Sequence, residues 1–221
     1  MDMSIFSICS SVRKRIKDKV NEMARCAMLE KQKKQFQNTS LSVFSSNCVG
    51  CVMLHDLGLR FNSPLVNLYM SAKDYIKFLQ DPQGYCDMEF QEKETDLNYP
   101  VAMLGDLTLH FVHYESYAEA VEAFKKRAKR INYDNLFVIF SERDGCTYED
   151  LKVFDSLPYE NKVVFTAHPY EEIRSAFYME GFEGELGNIL DWDRKIGHKI
   201  YDRFPFAAWF DGRGSRKEEN L

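Results

Sequence analysis

Apolar and polar residues fall into alternating blocks along the chain, and these blocks predict strands and helices in turn. Two near-continuous apolar runs, residues 136–140 and 162–166, are typical of strands that are covered on both faces. Shorter apolar runs predict further strands at residues 41–45, 65–69, 101–104 and 107–112.

The segments between these runs carry helix signals. Ser71, Ser116 and Thr147 are each followed, three residues later, by a carboxylate, which is the pattern of a capped helix start. Apolar spacing predicts one more helix over residues 181–203. Alternating strands and helices predict an α/β protein: a three-layer, Rossmann-like domain with a mainly parallel sheet, preceded by an N-terminal helix.

The two ends of the chain differ from its middle. Residues 10–35 hold nine basic and three acidic side chains, with apolar residues near helical spacing. We predict a basic helical extension over residues 1–37, the α/β domain over 38–205 and a flexible tail over 206–221. The extension fits a solvated amphipathic helix, and it also fits weak peripheral contact with anionic lipid.

Composition excludes several classes of protein. Hydrophobic residues make up 45% of the 221 residues, so the chain is not disordered as a whole. The formal charge is −5, which argues against a general nucleic-acid binder. No apolar run is long enough for a transmembrane helix, and the N-terminus lacks the pattern of a signal peptide, so we expect a cytoplasmic protein. Cys48 and Cys51 form a CxxC pair with no second ligand pair, so no metal site is predicted.

The turn after the first predicted strand contains a candidate nucleophile. Cys48 lies between a strand end and a helix start, where helix amides lower the pKa of a thiol. Asn47 is placed to donate a hydrogen bond to an oxyanion. Simple packing is the competing interpretation, because free cysteines are often buried.

A second cluster lies around residues 99–114. His113 ends a predicted strand and is a candidate general base, whereas His110 is expected to be a core residue. Asp106 is either a turn residue or the group that orients His113. We expect this strand in the same sheet as the strand ending at Ser45, which would bring Cys48, His113 and Asp106 together.

A third cluster is the basic end of the helix that starts at Ser116. Five cations between residues 125 and 130 compensate the helix dipole, or Arg127 and Arg130 bind a phosphate of a nucleotide-sugar or acyl carrier. Phosphate-binding glycine loops and the serine-hydrolase elbow are absent from the sequence, so conventional ATP, GTP, NAD and serine-hydrolase modes lack support.

Several collinear segments match the pattern of one known family: residues 46–50, 57–69, 99–101, 110–114, 130–139 and 161–166. Together they resemble an uncharacterised bacterial family, a domain of unknown function. Its members are commonly labelled exopolysaccharide or capsular-polysaccharide biosynthesis proteins. The family usually has two asparagines before the cysteine and an aromatic-Gly-Gly after it. Here Ser46 replaces the first asparagine, and Val49-Gly50-Cys51 follows. The Asn-Cys turn is also similar to that of capsule acyltransferases that bind coenzyme A.

The resemblance implies an enzyme of surface-polysaccharide synthesis, most concretely an acyltransferase that acts on a sugar or nucleotide-sugar. Coenzyme A or a nucleotide-sugar would be its donor. Cys48, His113, Asp106 and Asn47 would be catalytic, and Asn67, Tyr114, Arg127 and Arg130 would bind substrate.

Two other functions stay open. One is a glycosyltransferase, for which Asp191-Trp192-Asp193 has the spacing of a metal-binding pair, although on a predicted helix the two carboxylates would not face each other. The other is a non-catalytic carbohydrate-binding or scaffolding protein.

Overall fold

The computed structural model describes residues 3–213, and side chains from residue 12 onward. These residues form two compact units, one over Asn38–Gly187 and one that combines residues 3–37 with 188–213. The strands are β1 (Ser42–Ser45), β2 (Phe90–Lys93), β3 (Val101–Leu104), β4 (Leu107–His110), β5 (Leu136–Ser141), β6 (Asn161–Thr166) and β7 (Ala176–Tyr178). The helices are α1 (Met3–Gln35), α2 (Val49–Asp56), α3 (Ala72–Gln80), α4 (Pro82–Asp87), α5 (Tyr117–Ala128), α6 (Tyr148–Ser156) and α7 (Phe206–Phe210).

The larger unit is built on a parallel sheet with the strand order β1-β5-β6-β7. All residues of β1 and β5 are buried, as expected for strands covered on both faces. Because all strand pairs in this sheet are parallel, the ends of β1, β5 and β6 meet at one edge. The α/β, Rossmann-like fold class with an N-terminal helix is therefore confirmed.

A second sheet corrects one expectation. Strands β2, β3 and β4 pair antiparallel with one another, so β4 does not belong to the sheet that contains β1. The reason is local: Gly105 has a φ of +60°, which lets residues 105 and 106 close a tight hairpin between β3 and β4. Hairpin closure costs less chain entropy than insertion into a distant parallel ladder.

Residues 65–69 were expected to form a strand, and that expectation is wrong. Leu65, Val66 and Leu68 are buried as a strand would require. Asn67, however, has a φ of +64°, which no strand residue adopts. The segment is a buried loop, and only its last residue, Tyr69, forms an isolated bridge, to His110.

The predicted helix starts are confirmed. The hydroxyls of Ser71, Ser116 and Thr147 each accept a hydrogen bond from the backbone N–H three residues later, at the starts of α3, α5 and α6. The helices bury aromatic residues against the sheet, so the core of this unit is rich in rings: Phe44, Tyr75, Phe78, Phe124, Phe140 and Phe154.

Residues 181–203 do not form the predicted helix. Gly181, Gly184 and Gly197 have positive φ values, and such residues interrupt helical backbone. The segment consists of turns, a bridge between Trp192 and Lys199, and a short 3₁₀ helix at Ile200–Arg203.

The smaller unit corrects the predicted boundaries at both ends of the chain. Arg25 of α1 donates hydrogen bonds to Asp202, at 2.7 Å, and to the carbonyl of Gly197, at 3.3 Å. The basic helix is thus packed against residues 188–213 and is not a separate extension. Residue 206 is also too early a start for the predicted flexible tail, because Phe206 and Phe210 of α7 are buried. Residues 214–221 of that tail lie outside the described residues. Within residues 3–213, no helix is both long and apolar enough to cross a membrane.

Candidate active site

The turn between β1 and α2 is held tightly at the carboxyl edge of the parallel sheet. Ser45 Oγ accepts a hydrogen bond from the N–H of Gly50, at 3.3 Å, and the N–H of Ser46 donates to the carbonyl of Ile139. A Cβ at position 50 would lie 2.8 Å from Ser45 Cβ and 2.9 Å from Val43 Cγ1. Glycine is therefore required for α2 to start this close to β1, and this close start fixes the position of Cys48 and its thiol.

Cys48 occupies the N-cap position of α2, and its thiol meets an imidazole. The distance from Cys48 Sγ to His113 Nε2 is 3.5 Å, within hydrogen-bonding range for sulfur. His113 lies in a turn after β4, closed by a hydrogen bond from the N–H of Tyr114 to the carbonyl of Phe111. Cys48 is half-buried and His113 is exposed, so the pair is accessible to a ligand. The structure thus brings Cys48 and His113 together as expected, although their strands lie in different sheets.

Electrostatics at the thiol differ from the expectation. Burial raises the pKa of Cys48, whereas the helix start was expected to lower it. Burial also raises the pKa of Cys51 to about 12, and the thiol of Cys51 lies 3.9 Å from the carbonyl of Leu65. Both thiols are therefore protonated near neutral pH, and Cys48 becomes a nucleophile only when a base removes its proton. His113 is the group in contact with it.

The side-chain amide of Asn47 stabilises the turn with one hydrogen bond at its oxygen and one at its nitrogen. Its Oδ1 accepts a hydrogen bond from the N–H of Val49, at 3.0 Å, and its Nδ2 donates to Ser141 Oγ, at 3.2 Å. One amide hydrogen of Nδ2 remains in addition to the one given to Ser141. Asn47 therefore holds the turn that carries Cys48 against the end of β5.

Asp106 does not join the pair. It lies in the β3–β4 turn, at the other end of β4 from His110. Its carboxylate accepts hydrogen bonds from Lys77 Nζ and from the Tyr85 hydroxyl, both at 2.7 Å. These two hydrogen bonds hold the pKa of Asp106 below its usual range, and the bond from Lys77 has the largest effect. The carboxylate therefore braces the hairpin turn and does not orient His113.

The expected substrate-binding residues interact with other parts of the protein, and of these only Tyr114 is a sequence neighbour of the pair. The Tyr114 hydroxyl donates to the carbonyl of Val66, at 3.2 Å, and accepts from Arg127 Nη1. Asn67 forms the left-handed kink of the buried loop. Arg130 Nη2 donates to the carbonyl of Phe61, at 2.7 Å.

A further cluster at the same sheet edge was missed by the sequence interpretation. Glu142, directly after β5, is buried and accepts hydrogen bonds from the N–H of Ala167, at 2.6 Å, and from the Tyr170 hydroxyl, at 2.6 Å. Its Oε1 also lies 3.1 Å from His168 Nδ1. The signal was present, because Glu142 and His168 each follow one of the two clearest predicted strands. The carboxyl-edge rule applied to those strands would have found them.

Aromatic rings surround His110, which was expected to be a core residue. Its ring stacks on Tyr69, with centroids 4.5 Å apart, and meets Tyr99 edge-on at 6.0 Å. Burial lowers the pKa of His110, so its imidazole is held neutral. His110 is only half-buried and its Nδ1 makes no hydrogen bond to any described residue, so it is not the hydrogen-bonded core residue that was expected.

No group of three or more His, Cys, Asp or Glu side chains suited to a metal ion occurs among the described residues. The Asp191-Trp192-Asp193 segment lies in turns and a bridge, and not on the predicted helix. Asp193 accepts two hydrogen bonds from Arg203, at 2.7 and 2.8 Å, and this lowers the pKa of Asp193 to about 2. Its carboxylate is thus committed to an ion pair.

Comparison with known proteins finds one matching family model and a relative of similar length. A family model described as "Domain of unknown function (DUF1919)" matches residues 19–211. An uncharacterised protein from Haemophilus influenzae (strain ATCC 51907 / DSM 11121 / KW20 / Rd) is 40% identical over 199 residues, which cover 89% of this chain and 97% of that protein.

Proposed function

The chain belongs to the DUF1919 family, and we propose that it is a cysteine-dependent acyltransferase of bacterial surface-polysaccharide synthesis. Its acceptor is a sugar or nucleotide-sugar, and its expected compartment is the cytoplasm, where thiols stay reduced. The single observation that carries the acyl-transfer chemistry is the 3.5 Å contact between Cys48 Sγ and His113 Nε2 at the carboxyl edge of the sheet. The polysaccharide assignment rests on the sequence resemblance described above.

In the first half-reaction, His113 takes the proton of the Cys48 thiol while the sulfur attacks the carbonyl carbon of an acyl thioester. The new bond joins Cys48 sulfur to the acyl carbon, and the bond to the donor's sulfur breaks. His113 returns the proton to that leaving thiolate. The remaining amide hydrogen of Asn47 stabilises the negative charge that develops on the carbonyl oxygen.

In the second half-reaction, a sugar hydroxyl attacks the acyl carbon held on Cys48. His113 takes the hydroxyl proton and gives it to the departing Cys48 sulfur, so the thiol is restored and an O-acyl sugar is released. In this proposal the acceptor hydroxyl is bound by His168, whose Nδ1 contacts the carboxylate of Glu142 and whose Nε2 is not used in that contact.

The test is direct labelling of Cys48. Purified protein is mixed with acetyl-coenzyme A, and the acyl-enzyme is located by peptide mass spectrometry. We expect one acetyl group on Cys48 in the original protein and none in Cys48→Ser, while Cys26→Ser, which removes an exposed cysteine of α1, behaves as the original. Addition of nucleotide-sugars should then discharge the label. An unlabelled Cys48 across short and long acyl thioesters would contradict the proposal.

Two outcomes would favour the alternatives. Release of the nucleotide from a nucleotide-sugar without any label on Cys48 would indicate a glycosyltransferase. Saturable sugar binding without turnover would indicate a carbohydrate-binding protein, for which the Tyr69–His110–Tyr99 rings supply stacking surfaces.

Weak contact between α1 and an anionic membrane is a second proposal, favoured by an exposed apolar stripe. Val12, Ile16, Val20 and Met23 recur at helical spacing and are between 46% and 67% exposed. The surrounding segment, residues 10–35, has six more basic than acidic side chains. An apolar stripe within a basic helix matches the interface of an anionic bilayer.

Vesicle flotation tests the membrane contact. We expect the protein to float with phosphatidylglycerol vesicles at low salt, to float less as salt rises and to stay behind with neutral phosphatidylcholine. Ile16→Glu should lower the bound fraction at least about 10-fold, since it places a charge within the stripe. Val153→Glu is the matched control, because Val153 is an exposed apolar residue of α6. Self-association that Ile16→Glu abolishes, without any flotation, would identify the stripe as a contact between copies of the chain.

A further inference from the structure

Three arginines of the larger unit, Arg60, Arg127 and Arg130, lie close together, and Arg127 contacts the residue that follows His113. Arg127 and Arg130 are one helical turn apart, and the N–H of Arg130 donates to the carbonyl of Arg127 at 2.9 Å. Arg130 Nη2 donates to the carbonyl of Phe61, at 2.7 Å, which brings its guanidinium next to Arg60. Arg127 and Arg130 were expected from the sequence to bind a phosphate. The structure adds Arg60, which is exposed and far from them in the sequence.

The charge of this cluster is poorly balanced by the protein itself. Across the side chains that the structure describes, none of these three guanidinium groups forms an ion pair with a carboxylate. Arg130 Nε is buried and makes no hydrogen bond to any described residue. Burial lowers the pKa of Arg130, and the charges of Arg60 and Arg127 lower it further. Like charges held together at a half-buried position are unfavourable unless an anion offsets them.

A groove of about 320 Å³ lies at this cluster. It is lined by Glu119, Glu122, Ala123, Lys126, Arg127 and Arg130. The groove lining has a net charge of +1, from three cations and two anions, and Arg60, which acts on Arg130 from outside this lining, raises the total to +2. That surplus suits a ligand with two or more negative charges. Arg is also the side chain best matched to phosphate oxygens, because its planar donors bind them in pairs.

The cluster is connected to the thiol site through one side chain. Arg127 donates to the hydroxyl of Tyr114, the residue that follows His113. The charge of Arg127 also acts on the thiol of Cys51, one turn along α2 from Cys48. These two interactions link Arg127 to the segments that carry His113 and Cys48.

We propose that Arg60, Arg127 and Arg130 form the binding site for the diphosphate group of the substrate that reacts at Cys48. This inference rests on the proposed function for its connection to Cys48. Coenzyme A thioesters and nucleotide-sugars both carry a diphosphate, so either source fits the chemistry of the site. The source is identified by whether coenzyme A or uridine diphosphate binds more tightly.

Calorimetric titration at low salt provides the test, with inorganic pyrophosphate, coenzyme A and uridine diphosphate as probes. We expect binding of pyrophosphate and tighter binding of the probe that resembles the real substrate. Arg60→Gln and Arg130→Gln should each weaken binding by about 10-fold or more, the loss of a charged hydrogen bond. Lys129→Gln is the matched control, since Lys129 is an exposed cation on the same helix end, and it should bind as the original protein does. Equal weakening by Lys129→Gln, or no binding of any probe, would overturn the site.

Thermal unfolding gives a second readout that does not depend on catalysis. Without anions, Arg60→Gln should leave the melting temperature equal or higher, because one like charge has been removed from the cluster. With pyrophosphate, the original protein should gain stability and the variant should gain less. A variant that loses stability without anions and gains as much as the original with them would contradict the proposal.

The acyltransferase proposal and the arginine-site proposal can be disproved independently of each other. Cys48→Ser should still bind the diphosphate probes, whereas it cannot be acylated. Diphosphate binding without acylation of Cys48 would end the acyltransferase proposal alone, and acylation that is indifferent to Arg60→Gln and Arg130→Gln would end the arginine site alone.

Discussion

Each end of the β3–β4 hairpin carries a residue that was a candidate for catalysis, but the two residues have different surroundings. At the turn, Asp106 binds Lys77 and Tyr85 on the surface. Beyond the open end, the chain turns and presents His113 to the thiol of Cys48. An acid and an imidazole, seven residues apart in the sequence, were both expected at the site, and only the imidazole reaches it.

The difference shows what a hairpin does in this fold. Residues 46–135 connect the parallel neighbours β1 and β5, and the antiparallel sheet lies within that connection. A hairpin places its turn and its open end at opposite ends of the strands, so only one of them can meet the sheet edge where β1 ends. Position relative to this edge, and not residue type, separates the candidate catalytic group from the structural one.

The largest expected effect is on the rate of Cys48 acylation, which should depend on His113 and not on Asp106. His113→Gln should slow acylation of Cys48 by about 100-fold, because general-base assistance is typically worth at least that much. Asp106→Asn should leave the rate unchanged. His55→Gln is the control for loss of an imidazole, since His55 is exposed on α2. Similar losses in the His113 and Asp106 variants would mean that the contrast between the hairpin ends is wrong.

The pH dependence of alkylation sharpens the same contrast. Because burial raises the pKa of Cys48, iodoacetamide should label it at higher pH in the folded His113→Gln variant than in the same protein unfolded in urea. Rates are followed by peptide mass spectrometry. A folded thiol that reacts at lower pH than the unfolded one would show that the helix start outweighs burial.

The next effect concerns the glycine at the thiol turn. Gly50→Ala should destabilise the protein by about 1–3 kcal/mol, because its Cβ would overlap Ser45 and Val43, neither of which can swing away. It should also reduce acylation, since α2 and Cys48 must shift. Urea unfolding measures the first effect and Cys48 labelling the second. Unchanged stability would show that the close approach of α2 to β1 is not strict.

The glycine at the hairpin turn should matter less. Gly105→Ala forces an alanine to a φ of +60°, which costs about 1–2 kcal/mol, and its one close neighbour is the flexible thioether of Met88. Gly145→Ala, at a φ of +79° with open space around it, isolates the cost of the backbone angle. We expect both to lower the urea midpoint and neither to change Cys48 labelling. A labelling defect in Gly105→Ala would mean that the two hairpin ends are coupled.

The smallest effect is on stability at the hairpin turn. The pKa of Asp106 is lowered in the folded protein, so its contribution is present at neutral pH, above the pKa of the unfolded chain. That contribution is lost as pH falls through the lower, folded-state pKa. Asp106→Asn should therefore be slightly less stable than the original protein at pH 7, with the difference shrinking in acid. A stability difference that persists at low pH would point to packing and not to charge.

Local patterns in the sequence predicted three of the four strands described in the parallel sheet, β1, β5 and β6, but not β7. Continuous apolar runs identified β5 and β6, and hydroxyl-carboxylate spacings identified the starts of α3, α5 and α6, because these signals depend on a few neighbouring residues. The carboxyl-edge rule likewise selected Cys48 at the end of β1. It also selected His113, whose contact with Cys48 the structure contains although β4 lies in the other sheet.

Tertiary structure decided the features that depend on distant residues or on single backbone angles. The left-handed residue Asn67 turned an apolar run into a buried loop, and the hairpin at Gly105 removed β4 from the main sheet and Asp106 from the site. The pairing of Glu142 with His168, the approach of Arg60 to Arg130 and the burial that raises the pKa of Cys48 all arise from chain segments far apart in sequence. Hydrophobic periodicity reports which face of a segment is buried, whereas the partner that buries it is set by the packing of the whole unit.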